Sequence, residues 1–225
     1  VAVLLVLALV KRFPYRLFAK THHWMAAIYL VLAFHTLVLV QFSYWAQPVG
    51  WALAMLLASG TVSAVWVLLG RVGAQRTAHG VIESLQTYPA LNVLETTLRM
   101  DPGWPGHRPG QFAFAMSNPK EGPHPYTLAS AWVPEDRRIT FITKVLGDHT
   151  RRLPERLRVG DQVTVEGPYG CFTFDDEKAR QIWIGAGIGI TPFIARMKYL
   201  AQHKGQDARP VDLFHPTSDV DPQAI

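Results

Sequence analysis

The chain has 225 residues, 49% of them hydrophobic, and a formal net charge of +5. Six of its 22 Lys and Arg residues precede Glu83, the first acidic residue, and flank apolar segments. The other 16 basic residues and all 17 acidic residues lie in residues 77–225, so this part of the chain is nearly neutral. This distribution is typical of membrane flanks and excludes a nucleic-acid-binding face, which needs clustered basic side chains on the soluble part. The single cysteine, Cys171, excludes an internal disulfide and agrees with a reducing compartment.

The chain opens with an apolar run at residues 1–10 that is too short to cross ~30 Å of hydrocarbon at ~1.5 Å per residue. We expect the run to be the end of a membrane helix that begins upstream, and the sequence to be an internal fragment of a longer protein. A cleaved signal peptide is the alternative, but the basic residues follow the run instead of preceding it, and no small-residue cleavage site is visible.

Residues 21–70 contain no Asp, Glu, Lys or Arg. This charge-free stretch predicts two transmembrane helices, at 21–42 and 49–70, with a break at Pro48 and Gly50. Each is long enough to cross a bilayer with some tilt, so membrane lipid is an expected partner.

Basic residues flank these helices unevenly. They occur between residues 11 and 20 and again at Arg71 and Arg76, whereas residues 41–50 are uncharged. The positive-inside rule therefore predicts a multi-pass integral membrane protein whose soluble domains, after Arg71, lie in the cytoplasm.

Three histidines accompany the first predicted helix. His22 and His35 are separated by a helical rise of roughly 20 Å, which would set one metal near each leaflet. An unpartnered imidazole amid LVLAFHTLVLV would cost several kcal/mol, which favours a ligand or hydrogen-bonding role for His35, whereas His22 or His23 alone is typical of a capping or pore-lining residue. Bis-imidazole haem suits electron transfer. At about 100° per residue neither pair shares one helix stripe, and the opposing ligands must come from another helix.

From about Gly80 the sequence changes to short segments rich in Val, Ile, Thr, Phe and Tyr between Pro and Gly. This pattern predicts a small antiparallel β-barrel. The predicted strands cover residues 91–99, 110–117, 125–132, 138–146 and 161–167, with one short helix at 148–157.

A third pattern begins at Arg180, where a buried strand, a glycine-rich turn and a helix are followed by a second strand at 210–215. One strand-helix-strand unit cannot cover both faces of a parallel sheet, so we expect a truncated α/β nucleotide-binding domain. The predicted domains are 1–74 (transmembrane helices), 75–175 (barrel) and 176–225 (α/β).

The glycine-rich turn Gly185–Pro192 is suited to an anion. It is not GxGxxG, because position 190 is Ile. We expect Thr191 to act as N-cap and Pro192 to be the first helical residue, so that backbone amides face a phosphate. GDHT at 147–150 offers a second such helix start, and HPYT at 124–127 offers a ring to stack on an isoalloxazine and a hydroxyl to bond its edge.

Together these motifs resemble the ferric reductase and NADPH oxidase superfamily. The resemblance spans nearly the whole chain in the family's order. The matching segments are THHWMAAIYLVLAFH (21–35, the fifth transmembrane helix), HPYTLAS (124–130, the flavin motif), GDHT (147–150, the pyrophosphate turn), GPYG (167–170, the barrel's closing segment) and GAGIGITP (185–192, the pyridine-nucleotide turn).

The resemblance implies cofactors and ligands. His22 and His35 would be axial ligands to an inner and an outer b-type haem. The FAD-binding residues would be His124, Pro125, Tyr126, Thr127, Gly147 and Thr150, with Tyr126 against the flavin ring. The NAD(P)H-binding residues would be Gly185, Gly187, Gly189, Thr191 and Pro192. The barrel would then be an FAD-binding domain of ferredoxin-reductase type.

The implied function is transmembrane electron transfer. Electrons from cytoplasmic NAD(P)H would pass through FAD and two b-type haems to an acceptor across the membrane, either ferric chelate or dioxygen. Tyr126 replaces the family's usual Phe, and further haem ligands, the late Cys-Gly segment and a terminal aromatic have no counterpart. The fragment alone is therefore expected to be inactive and to need the missing transmembrane helices of the same protein.

Three alternatives stay open at this point. The first is a membrane-tethered flavin reductase without haem, and the second is a non-enzymatic channel or transporter subunit with a nucleotide-sensing domain. The third is a membrane-anchored ligand-binding barrel whose glycine turns are structural. The choice between NADH and NADPH also stays open, and residues 215–219 are where we expect the adenosine ribose to be recognised.

Overall fold

The computed structural model describes residues 15–119, 121–203 and 209–218, with side chains from residue 23 onward except that of Asp148. The chain divides into two compact units, Val1–Gln75 and Arg76–Ile225. The apolar run predicted at residues 1–10 lies outside the described residues.

The N-terminal unit is a pair of long helices. Helix α1 is Tyr15–Leu39, a 3-10 turn follows at Phe42–Ala46, and helix α2 is Pro48–Leu68. Pro48 begins α2, where its missing N–H is not needed. The predicted break therefore lies just before Pro48, and Gly50 belongs to the first turn of α2. A Cβ at Gly50 would lie 2.0 Å from the carbonyl oxygen of Tyr44, so only glycine lets the turn fold back on the helix start.

The two helices contact each other through small residues. Ala33 and Ala64 are buried, and a Cβ at Gly60 would lie 2.0 Å from the Tyr29 hydroxyl. That hydroxyl lies 3.3 Å from the carbonyl oxygen of Leu56, to which it donates a hydrogen bond. Close approach across glycine and alanine is typical of helices that pack in a membrane.

Most other large apolar side chains of both helices are exposed. Among the described residues, Pro48–Leu68 is the one helix long and apolar enough to cross a membrane, and the apolar part of α1, His23–Leu39, is shorter. The two predicted helices are confirmed as helices, and their insertion in a bilayer stays a prediction.

The second unit begins with a six-stranded antiparallel sheet in the order β4-β3-β6-β1-β2-β5. A bridge between Leu128 and Phe141 joins the two edges, which closes the sheet as predicted. The strands are β1 Thr77–Tyr88, β2 Val93–Met100, β3 Phe112–Met116, β4 His124–Thr127, β5 Arg138–Lys144 and β6 Gln162–Tyr169.

Five of these strands overlap the predicted segments, and β2, β4 and β6 extend beyond them by one or two residues, but β1 was not predicted. It is the longest strand and pairs with both β2 and β6. Its buried residues Ala78, Gly80 and Ile82 alternate with exposed ones. That period of two was a usable signal, although two of the three buried positions are small and therefore weakly hydrophobic.

The barrel interior is filled by apolar side chains from all sides, including the fully buried Leu98, Ile139 and Val165. Helix α3, Asp148–Arg156, covers one end and contributes Leu153 to the core. The helix predicted at 148–157 is thereby confirmed.

The remaining elements form the predicted strand-helix-strand unit. Strands β7, Gln181–Ile184, and β8, Val211–Phe214, pair in parallel. Helix α4, Thr191–Gln202, connects them after a 3-10 turn at Gly187–Ile190. Phe174, Trp183 and Phe193 form the small core of this unit.

An ion-pair cluster on the barrel surface predicts a pH dependence of stability. Hydrogen bonds from Arg138 and then Arg99 lower the pKa of Glu83 to about 2. Because the folded pKa lies below the unfolded value, this stabilisation is complete above pH ~4.5 and is lost as the pH falls towards 2. We expect Glu83→Gln to lower the melting temperature at pH 7, and the difference from wild type to vanish near pH 2 in thermal unfolding.

The matched control for this prediction is Glu95→Gln on the neighbouring strand, because Glu95 makes no ion pair with the described residues. It is expected to leave the melting temperature unchanged at both pH values. An equal loss at pH 7 and pH 2 in Glu83→Gln would contradict the assigned cause.

Candidate functional site

Strand β4 and the start of helix α3 meet at one cleft. Residues i and i+2 of a strand share a face, so His124 and Tyr126 both reach this cleft. Glu121, in the loop before β4, and His149, in the first turn of α3, line it as well. Two motifs that are 23 residues apart in the sequence, as measured from Tyr126 to His149, are thus brought into contact.

Tyr126 is held on both its ring and its hydroxyl. The ring packs on Phe141 with centroids 5.7 Å apart, and the hydroxyl lies 2.8 Å from Nε2 of His149. Burial, with a smaller effect of the Glu121 charge, raises the pKa of Tyr126 to about 12. The phenol is therefore neutral at physiological pH.

His149 connects Tyr126 to a carboxylate. Its Nδ1 lies 3.0 Å from Oε2 of Glu121, which is also paired with Arg156. The hydrogen bond from Arg156 is the main cause that lowers the pKa of Glu121, so this carboxylate is ionised. An ionised carboxylate only accepts hydrogen bonds, so Nδ1 of His149 donates, and in the neutral ring Nε2 accepts from the Tyr126 hydroxyl.

His124 stacks on His149, with ring centroids 3.6 Å apart and an interplanar angle of 14°. Burial is the main cause that lowers the pKa of His124, followed by the charge of His149. In this structure His124 therefore forms one wall of the cleft. Pro125, on the opposite face of the strand, is exposed, and Thr127 is half-buried.

Sequence reasoning did not include Glu121 and His149 among the site residues. Within GDHT, the sequence predicts a role in pyrophosphate binding for Gly147 and Thr150, and none for His149. The available signal was its position in the first turn of α3, beside the motif expected to bind pyrophosphate. Nothing in the sequence marks Glu121, which is brought to the cleft by the loop between β3 and β4.

The start of α3 has an open face. Gly147 is the N-cap, and a Cβ there would meet nothing within 4 Å. The Thr150 hydroxyl accepts hydrogen bonds from the backbone N–H groups of Leu146, at 3.0 Å, and Gly147, at 3.2 Å. Thr150 therefore stabilises the turn, and the first helical amides have no partner within the helix and suit an anion.

The pyridine-nucleotide turn has a different geometry from the one expected. The N-cap of α4 is Ile190 and the helix begins at Thr191, whose buried hydroxyl donates to the Ile188 carbonyl oxygen at 2.7 Å. The prediction of Thr191 as N-cap, with Pro192 first in the helix, was wrong. The 3-10 turn runs directly into α4, so the threonine hydroxyl satisfies a turn carbonyl instead of a helix N–H.

The three glycines of this turn differ in what surrounds them and in their backbone conformation. A Cβ at Gly185 would lie 2.9 Å from the Cα of Ile190, and Gly187 has a φ of +50°. Gly189 faces open space, since a Cβ there would meet nothing within 4 Å. His215 Nε2 donates to the Gly187 carbonyl oxygen at 3.0 Å, which ties the region expected to recognise the ribose to the turn.

The two predicted haem ligands lie on the continuous helix α1. His35 is exposed among apolar side chains such as Phe34 and Val38, so its imidazole is open to a partner from another helix. The side chain of His22 lies outside the described residues. No group of three or more His, Cys, Asp or Glu side chains within the described part of the chain forms a metal site.

Comparison with known proteins gives a family match for the barrel. Residues 80–173 match the model of an FAD-binding domain. The chain is similar to respiratory burst oxidase homolog protein B of Oryza sativa subsp. japonica, with 28% identity over 81% of this chain and 23% of that protein. It is also 34% identical to ferric reduction oxidase 2 of Arabidopsis thaliana, over 34% of this chain and 11% of that one.

Among solved structures, the chain is similar to the flavohem-like FAD/NAD binding domain of nitric oxide dioxygenase from Vibrio cholerae O1 biovar El Tor. The TM-score is 0.53 at 22% identity, over 64% of this chain and 63% of that chain, which shows a common fold. The chain spans only 28% and 23% of the length of two curated relatives it matches.

The matched residues 80–173 include most of the sheet, the motif strand β4 and helix α3. The findings confirm the resemblance to the ferric reductase and NADPH oxidase superfamily, with an FAD-binding domain as the matched part. Residues 80–173 are therefore similar in sequence to an FAD-binding domain, and the chain shares its fold with an FAD/NAD binding domain.

Proposed function

We propose that the protein is a transmembrane oxidoreductase that passes electrons from cytoplasmic NAD(P)H through FAD and two b-type haems to an acceptor across the membrane. The observation that carries this proposal is the cleft in which His124 and Tyr126 of the flavin motif meet the open start of α3. The proposed domains are residues 1–74 for haem, 75–175 for FAD and 176–225 for NAD(P)H.

The residues present fit FAD. Tyr126 offers an aromatic ring and a fixed hydroxyl, and the first turn of α3, with Gly147 as N-cap, offers unpaired amides to a pyrophosphate. His124, Pro125, Thr127 and Thr150 complete the proposed set. When bound, FAD converts a two-electron donor into the one-electron steps that haem accepts.

The residues present also fit a dinucleotide at the turn before α4. Gly189 leaves the turn open, and Gly187 takes a backbone conformation that other residues rarely adopt. These two glycines form the proposed NAD(P)H site together with Gly185, Thr191 and Pro192. A phosphate of the dinucleotide would face the start of helix α4.

The proposed membrane insertion and haem binding rest on features of the N-terminal unit. Its helices expose apolar side chains, and His35 is an ionisable residue in the middle of one of them, which is presumed functional in a membrane. The alignment with the rice oxidase covers 81% of this chain. Residues 76–225 are about two thirds of it, so the likeness extends into this unit. His22 would bind the inner haem and His35 the outer.

The proposed acceptor is ferric chelate or dioxygen, reached from the side opposite the cytoplasmic domains. The opposing haem ligands would come from other transmembrane helices of the same protein. Membrane lipid is the remaining proposed partner, in contact with the exposed apolar side chains of α1 and α2.

Purification of the intact protein in detergent tests this function. We expect it to retain FAD and to oxidise NAD(P)H anaerobically when ferric chelate is supplied. Tyr126→Ala should lower the FAD content at least about tenfold, because loss of a stacked aromatic ring costs ~1–3 kcal/mol and the hydroxyl contact is lost as well. Protein that folds but contains no flavin and oxidises no NAD(P)H would contradict the proposal.

A further inference from the structure

Three side chains at the cleft form a continuous hydrogen-bonded row. The Tyr126 hydroxyl lies 2.8 Å from His149 Nε2, and His149 Nδ1 lies 3.0 Å from the Glu121 carboxylate. The row leads from a half-buried phenol to an imidazole that is 23% exposed. It therefore leads from the interior of the cleft to a partly exposed imidazole, whose two ring nitrogens can accept a proton on one side and donate one on the other.

Each member of the row has a defined hydrogen-bonding role. Glu121 is kept ionised by Arg156, so it fixes the proton of neutral His149 on Nδ1. Nε2 is then the acceptor for the tyrosine proton. The same carboxylate stabilises the imidazolium once Nε2 is protonated, as the aspartate does in a Ser-His-Asp triad.

We propose that Tyr126, His149 and Glu121 form a proton relay that discharges protons from the flavin site to solvent. This inference rests on the proposed function, since it assumes that FAD binds at this cleft. It assigns a task to His149 that neither the family match nor the sequence motif provides.

The proton balance of the proposed reaction leaves one proton at the flavin, and the row offers this proton a path. One NAD(P)H that becomes NAD(P)⁺ gives two electrons and one proton in net, and electrons that leave singly for haem leave the proton behind. In the relay, the O–H bond of Tyr126 breaks towards His149 Nε2 while a new O–H bond forms with the proton that leaves the cleft. The His149 imidazolium then loses one ring proton to solvent, so that neutral His149 is restored.

The charges around His149 support this direction of transfer. On the loop before β4 it faces Glu121, on β4 it faces His124 and Tyr126, and on its own helix Arg156 acts through Glu121. Burial and then the charge of His149 lower the pKa of His124, so a proton on His149 disfavours a second proton on the stacked neighbour. Glu121 is the direct carboxylate partner of His149, and it attracts the transferred proton.

The test compares intact wild type with His149→Gln, which keeps a polar side chain but cannot carry the proton. Tyr126→Phe keeps the ring and removes the hydroxyl, and it serves if His149→Gln fails to fold or loses FAD. His79→Gln is the matched control, because His79 is exposed on β1 outside the cleft. NAD(P)H oxidation with ferric chelate is measured from acidic to alkaline pH, together with FAD content.

We expect both relay variants to retain FAD and to turn over at least about tenfold more slowly than wild type. The dependence of the rate on pH should differ between wild type and His149→Gln, because only wild type passes the proton through His149. A second readout needs no cofactor. In FAD-free protein, the NMR signal of the His149 Nδ1 proton should move or disappear in Glu121→Gln, because the carboxylate that accepts its hydrogen bond is gone.

Unchanged rates and pH profiles in both variants, with wild type active, would overturn the relay alone. An Nδ1 proton signal of His149 that is the same in wild type and Glu121→Gln would overturn it as well. Wild type that neither retains FAD nor oxidises NAD(P)H would overturn the proposed function and the relay with it.

Discussion

Replacing His35 with alanine is expected to remove the outer haem and to stop electron transfer to the acceptor. An axial imidazole is a direct ligand of the iron, and even the loss of a supporting group around a metal costs 10–100-fold in affinity, so a loss of more than about 100-fold is expected here. Because His35 lies in helix α1, away from the cleft motifs in the sequence, FAD binding and reduction of the flavin by NAD(P)H should persist.

The measurement is the haem content and the reduced-minus-oxidised absorption spectrum of the intact protein. Phe34→Ala, an exposed neighbour on the same helix, is the matched control and should retain both haems. A spectrum of His35→Ala that equals that of wild type would exclude His35 as a ligand. It would favour a membrane-tethered flavin reductase if wild type also lacked haem.

A pair of glycine substitutions is expected to have the second largest effect. In Gly185→Ala the new methyl group would lie 2.9 Å from the Cα of Ile190, a backbone atom that cannot rotate away. The turn must therefore move, and flavin reduction by NAD(P)H should slow by at least about tenfold, as expected for loss of ~1.4 kcal/mol or more.

Gly189→Ala separates binding from folding in the same turn. Its methyl group would enter open space, so the melting temperature should stay at the wild-type value. If the backbone at Gly189 approaches a phosphate, the methyl group raises KM for NAD(P)H several-fold. Wild-type KM in both variants would contradict a dinucleotide site and would favour structural glycine turns.

The sequence predicted those parts of the fold that are specified by local pattern. The charge-free stretch predicted α1 and α2, because long apolar runs without ionisable residues rarely form anything but helices. Short segments rich in Val, Ile, Thr, Phe and Tyr between Pro and Gly predicted most barrel strands. This pattern missed β1, where alanine and glycine occupy buried positions opposite large side chains such as Met100. The burial of such small residues is set by their partners.

The sequence predicted those site residues that belong to a contiguous motif. It did not predict those that are brought to the site only by folding. HPYT and GDHT were recognised separately, and their contact through Tyr126 and His149 depends on the closure of the barrel. Glu121 has no sequence signal because its position depends on a loop. The wrong N-cap at Thr191 has a similar cause, since the sequence does not show that a 3-10 turn continues into α4.

The most direct measurement of the central claim is the anaerobic addition of NAD(P)H to the intact protein, followed by its absorption spectrum over time. The account predicts that the flavin absorbance bleaches first and that the b-type haem bands of the reduced state then appear. Bleaching of the flavin with no haem bands at any time, in protein that is otherwise well folded, would contradict electron transfer across the membrane.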